Sequence, residues 1–412
     1  MQPVHSFRAA PPGTEVLGAV ETALVTHRAF GDSGYIRDQL AVAYRRRLHK
    51  LGSALPEAER LASGLDATPP ARQRQLLGDT VLGCAVQHAM RQLHLGDDYG
   101  LPLPQCTALF QGAHEHLRAG LPGEPLVAHL PPMARLHEER ERRATGNEDT
   151  EADTYIWHAW QEDTPYARAF LAVMEDNYGA PLATPTPQER TLLRRGLRLL
   201  ETLLPRLTAG ALSHVQLIAL FPKLGTWRGK ASSSQFRVNG SVFLNQELIG
   251  NPWWLAEHML HEALHQKLYD FRRGHSLLAP DYAREDGAKI CSLWNAPDDG
   301  NNHYWDAHRA LAAFHVYVHL TLLCLLAEQQ EAALAPRYDP IGQHMLDKQL
   351  APSTQAQQQN WPQARQRVLQ ALWPLAQDDA TMKRRGYPQA QALIAQMVQL
   401  SSRQLAALGA LG

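Results

Sequence analysis

Asn251-Pro252-Trp253-Trp254-Leu255-Ala256-Glu257-His258-Met259-Leu260-His261-Glu262-Ala263-Leu264-His265-Gln266-Lys267-Leu268 opens with an N-cap residue and a first-turn proline, then runs helix-favourable without interruption. Inside it, His261-Glu262-Ala263-Leu264-His265 is an HExxH motif in mid-helix. Positions i and i+4 share one helix face, so two imidazoles can turn their nitrogens onto one metal ion at about 2.0–2.2 Å. The motif also arises by chance in helical proteins. Here apolar Leu260 and Leu264, strand patterns upstream and histidines downstream supply the surroundings a metal site needs. His258 precedes His261 by three residues and is read as a hydrogen-bonded core or supporting histidine rather than a ligand.

Upstream, His214-Val215-Gln216-Leu217-Ile218-Ala219-Leu220-Phe221 and Ser241-Val242-Phe243-Leu244-Asn245 read as strands from their β-branched and aromatic content, joined by a Gly- and Ser-rich turn over Gly225 to Ser234. Gln188 to Leu207 reads as a helix. Before it, Pro181-Leu182-Ala183-Thr184-Pro185-Thr186-Pro187 is a stiff connector, because each proline fixes its own φ and disfavours helix in its predecessor. From about Thr22 to Arg118, apolar residues recur at helical spacing between Pro-rich breaks, which predicts a helical array. The mixed-charge stretch from Leu136 to Asp149 reads as a solvated helix end and loop.

Downstream, a third metal ligand is required. Six residues past His265 stands Phe271, which rules out the metzincin pattern. From about Asp306 a helix carries His308, His315 and His319 on one face. His315, between Phe314 and Val316, is in the most apolar setting and is chosen as third ligand. His308, His319 or a carboxylate such as Glu285 or Glu328 stay open. The tail from about Asp339 reads as helical again, with a Gln-rich loop at Gln355 to Asn360.

The fold class expected is mainly α with a small β element (α+β). It comprises a helical N-terminal part (1–187), a metal-binding catalytic core with the HExxH helix beside a short sheet (188–335) and a helical C-terminal part (336–412). The chain has 412 residues, and its 40 basic and 41 acidic residues nearly cancel, which removes the electrostatic footprint of a nucleic-acid binder. Cys84, Cys106, Cys291 and Cys324 form no C-x-x-C pair, so reduced thiols fit better than a zinc ribbon or disulfide framework. Neither a signal peptide nor a long apolar window is visible, so a cytoplasmic protein without a membrane partner is expected. The oligomeric state stays open.

The strand-loop-helix entry into the motif, Cys291-Ser292-Leu293-Trp294 after it, and Arg309-Ala310-Leu311-Ala312-Ala313-Phe314-His315-Val316-Tyr317-Val318 resemble the α-ketoglutarate-dependent HExxH-type peptide β-hydroxylases, over roughly residues 214 to 325. The resemblance implies Fe(II) on His261, His265 and a later ligand mapped to His315, with 2-oxoglutarate as co-substrate. It also implies hydroxylation of an unactivated side-chain carbon of a peptide or carrier-bound amino acid, in natural-product biosynthesis. Under it Glu262 orients ligands or bound water, and Arg309 offers a guanidinium fork for the distal carboxylate of 2-oxoglutarate. The chain departs from the family at Ser292-Leu293-Trp294-Asn295, where the family carries Ser-Pro-Trp-Arg. The rival expectation is a zincin-like zinc hydrolase with Glu262 as general base. A third is a helical interaction protein whose metal is structural.

Overall fold

Buried apolar runs on both faces of a short sheet explain the architecture of the chain, which a computed structural model describes over residues 14–26, 31–96, 100–119, 134–137, 154–159, 164–274, 290–291, 304–305 and 307–341. Six helices come first: α1 (Thr14–Thr26), α2 (Ser33–Gly52), α3 (Pro56–Asp66), α4 (Pro70–Leu77), α5 (Thr80–Leu95) and α6 (Leu103–Arg118). After the short strands β1 (Ala134–Arg135) and β2 (Tyr155–Ile156) come α7 (Pro165–Tyr178), α8 (Pro187–Leu203) and α9 (Pro205–Leu212). Next are β3 (Leu217–Phe221), β4 (Ser232–Gln235), β5 (Val238–Asn245) and the motif helix α10 (Pro252–Gly274). A two-stranded pair, β6 (Ile290–Cys291) and β7 (Tyr304–Trp305), precedes the long α11 (Ala307–Tyr338). The fold is mainly α with a small β element.

The five-stranded sheet has the order β1-β2-β3-β5-β4. β2, β3 and β5 run parallel, and β1 and β4 are antiparallel outer strands. Every residue of β3 and β5 is buried, as expected of strands covered on both faces. Alternation divides them: Ile218, Leu220, Val242 and Leu244 enter one core with α8, α10 and α11, and Leu217, Ala219, Phe221 and Phe243 enter the other with α3, α5 and α7. The first core also takes Leu17, Leu24 and Ile36 from the N-terminal helices, so helices from both sides of Pro187 build it.

Asn251 caps α10 as its sequence predicts, its Oδ1 accepting from the backbone of Trp253 at 2.8 Å and Trp254 at 3.1 Å. Both tryptophans are core. Helix α8 ends at Leu203 and α9 starts at Pro205, so the single helix read over 188–207 is broken by a proline. The turn read over 225–234 runs into β4, which begins at Ser232. Its serines pair poorly with a strand pattern based on apolar content, and its partner β5 imposes the conformation. Of the charged stretch, Leu136 is fully buried beside β1 rather than solvated, and residues 138–149 lie outside the described residues. α11 continues to Tyr338, past the boundary expected at 335, and the tail beyond 341 lies outside the described residues. No helix among the described residues is long and apolar enough to cross a membrane.

Helix α10 is held close to α8 at Gly196, where an added Cβ meets the Leu255 side chain at 2.6 Å. Gly196→Ala is therefore expected to lower stability by roughly 1–3 kcal/mol through overpacking, read as a shifted urea midpoint. A stabilised variant, the ordinary result of removing a helix glycine, contradicts that packing.

Candidate metal centre

α10 buries polar side chains along with its apolar ones, and several have a defined task. Gln266 accepts from the Gly240 backbone N–H at 3.0 Å and donates to the Val238 and Ser241 carbonyls, tying the helix to the start of β5. Asp270 accepts from Arg273 at 2.8 Å, and His258 Nδ1 lies 2.9 Å from the Trp254 carbonyl while its ring stacks on the Trp254 indole. His258 is thus a hydrogen-bonded core histidine, as its sequence position suggests.

His261 and His265 are half-buried, with their Nε2 atoms 3.2 Å apart. Two nitrogens each about 2.1 Å from one ion lie about 3.0 Å apart at a right angle and about 3.4 Å apart in a tetrahedron. The observed spacing falls between these, so the pair is preformed for a shared ion. Burial pushes His261 down to about 4 and, with a smaller contribution from His261, His265 to about 4. Both rings are neutral at pH 7, the protonation state that ligates metals. Among the described residues the buried His265 Nδ1 has no hydrogen-bond partner. A carboxylate oxygen of Glu262 completes a group whose ligand atoms all lie within 4.8 Å of one another. Two imidazoles held neutral beside a carboxylate fit Fe(II) or Zn(II).

Glu262 is anchored from the sheet. Ser232 and Ser234, alternate residues of β4 and so on the same face, donate to Oε1 at 2.6 Å and Oε2 at 2.5 Å. Ser233 points the other way, 3.2 Å from the Tyr178 hydroxyl. Burial, with the Glu262 charge adding, raises Tyr269 to about 12, so it stays a phenol beside His265. Lys230 is pulled down by burial and partly restored by Glu262. None of Ser232, Ser234, Tyr269 and Lys230 was expected from the sequence. The alternation Ser232-Ser233-Ser234 beside an apolar strand could have signalled the serines, and Tyr269 stands four residues past His265 on the same helix face.

His315 lies on α11, 1% exposed, against α10 at the level of Leu264 and His265, with His319 edge-on at 4.6 Å. Burial, then His319, Lys267 and His265, hold it well below the usual histidine range. The tight group consists of His261, Glu262 and His265 and does not include His315. His319 Nδ1 lies 2.7 Å from the His315 carbonyl, and its buried Nε2 has no hydrogen-bond partner among the described residues. The side chains of His308 and Arg309, both on α11, and residues 275–289 with Glu285 and 292–303 lie outside the described residues, as does the side chain of Glu328. No protein-family model matches the chain and no curated protein aligns with it. The site therefore stands on its geometry.

Proposed function

We propose that this chain is a non-heme Fe(II)- and 2-oxoglutarate-dependent oxygenase. Its reaction is hydroxylation of an unactivated side-chain carbon, the β-carbon, of a peptide or carrier-bound amino acid in natural-product biosynthesis within the cytoplasm. The observation that carries this reading is the serine clamp: both carboxylate oxygens of Glu262 already accept hydroxyl hydrogen bonds. Each oxygen keeps one lone pair, so the clamp sets where the carboxylate stands and leaves it able to accept. A carboxylate held in place beside two imidazoles gives the donor set of the two-histidine, one-carboxylate iron oxygenases.

Bound Fe(II), 2-oxoglutarate and dioxygen supply the oxidising power, with 2-oxoglutarate leaving as succinate and carbon dioxide. His261 and His265 would hold the ion through Nε2, and His315 is the proposed further ligand. Glu262 is fixed by β4, and Arg309 is the proposed partner of the distal carboxylate. The zinc-hydrolase reading keeps one favourable observation, that Glu262 reaches within 4.8 Å of both imidazole nitrogens, where a general base would stand.

Anaerobic Fe(II) followed by 2-oxoglutarate is expected to give a visible charge-transfer band that is absent from His261→Ala and bleaches on admitting oxygen. Tight zinc, no band and oxygen-independent peptide cleavage abolished by Glu262→Gln would establish the hydrolase instead.

A further inference from the structure

Between Pro252 and Phe271 every residue of α10 is buried except His261, His265 and Tyr269, which are half-buried. The three recur every four residues, so they form one strip of the helix, each step about 6 Å along its axis. One turn ahead of His261 the strip is closed, because Glu257 is fully buried. A molecule on the metal that is larger than a few atoms therefore extends along α10 in the direction of Tyr269.

Packing places the Tyr269 ring. It lies nearly parallel to the His265 ring, with 6.0 Å between centroids and 17° between planes, and Phe236 meets it edge-on at 5.6 Å. Packing makes no use of its hydroxyl. Among the described residues no hydrogen bond holds that hydroxyl. Ser234 is close enough to bear on its ionisation, yet the Ser234 proton goes to Glu262 Oε2. Raised to about 12, Tyr269 keeps its own proton at neutral pH and can donate it in a hydrogen bond.

On the reading that His261 and His265 hold an ion, we infer that Tyr269 contacts the ligand of that ion, its phenol donating to an oxygen of the molecule bound there. The class of ligand this favours is an oxygen chelate, such as a keto acid or a hydroxamate, because an anionic oxygen is a strong acceptor for an O–H. Phenylalanine at this position keeps the contacts with His265 and Phe236 and removes the donor alone.

The full chain loaded with Co(II), whose visible absorption reports its ligands, tests this in the parent, Tyr269→Phe and, as a matched control, Tyr178→Phe. The Tyr178 hydroxyl meets Ser233, which points away from Glu262, so the control removes a phenol that does not face the ion. The probe is acetohydroxamate, which chelates through two oxygens whichever reaction the site performs, so the outcome does not depend on the oxygenase reading. All three proteins are expected to take up Co(II) with equal affinity. Tyr269→Phe should bind acetohydroxamate about tenfold more weakly or worse, and Tyr178→Phe should match the parent. Equal acetohydroxamate affinity in Tyr269→Phe and parent, an equal loss in Tyr178→Phe, weaker Co(II) uptake by Tyr269→Phe, or no acetohydroxamate binding by the loaded parent would each overturn the inference. A parent that takes up no Co(II) would overturn the metal reading and the inference with it.

Discussion

Acidification from pH 7 to pH 5 will unfold this chain or bring it close to unfolding. Burial depresses the protonation of His214, His261, His265, His315 and His319, the last to about 3. In the unfolded chain each titrates near 6.5. Because the folded values are lowered, the stabilisation is fully present above about pH 6.5 and is lost as pH falls. Below that point the unfolded chain binds protons the folded one refuses. Each such histidine costs up to about 1.4 kcal/mol per pH unit, against a total stability of roughly 5–15 kcal/mol. A metal ion on His261 and His265 steepens the same slope, because protons compete for its ligands. Urea midpoints at pH 7, 6 and 5 should fall steeply, and a flat profile down to pH 4.5 would show that these rings are not held neutral.

Lys267→Met is expected to stabilise the chain. Lys267 is fully buried, its Nζ donating to the Gly31 carbonyl at 2.6 Å, and burial pulls it down to about 8 despite Asp32 nearby. A depressed lysine carries a penalty that grows as pH falls from 10.5 through 8, and at pH 7 it is on the order of 3 kcal/mol. Methionine keeps the volume and removes the charge. Losing the bond to Gly31 returns about 1 kcal/mol, leaving a net gain of about 1–2 kcal/mol by denaturant unfolding. A loss would mean that the ammonium is needed where it lies, between α10 and the chain ahead of α2.

The motif helix was legible because its determinants are local. Asn251 and Pro252 set the start, and i,i+4 spacing alone brings His261 and His265 together. The cores of β3 and β5 were legible from apolar content, although β3 starts at Leu217 rather than His214 and β5 three residues before Ser241. His214 instead turns into the core to meet Asp270, a pairing across 56 residues that no local pattern encodes. β4 was illegible because serine has little strand preference of its own, and pairing with β5 decides its conformation. The clamp on Glu262 was hidden for the same reason. The break at Pro205 could have been read, since a proline inside a helical pattern ends it. The face shared by His308, His315 and His319 is a property of one helix. Which of them approaches the motif depends on how α11 lies across α10, and that is a tertiary matter.

Equilibrium dialysis of the full chain decides whether His261 and His265 hold a metal ion. Dialysis against Fe(II) under nitrogen, and separately Zn(II), is followed by metal analysis, with His261→Ala and His265→Ala in parallel and their fold checked by circular dichroism. One ion per chain is expected, with affinity falling more than about 100-fold in each folded variant, beyond the loss typical of a supporting residue. Folded variants that bind as the parent does, or a parent that binds neither ion, would show that these two histidines are not metal ligands.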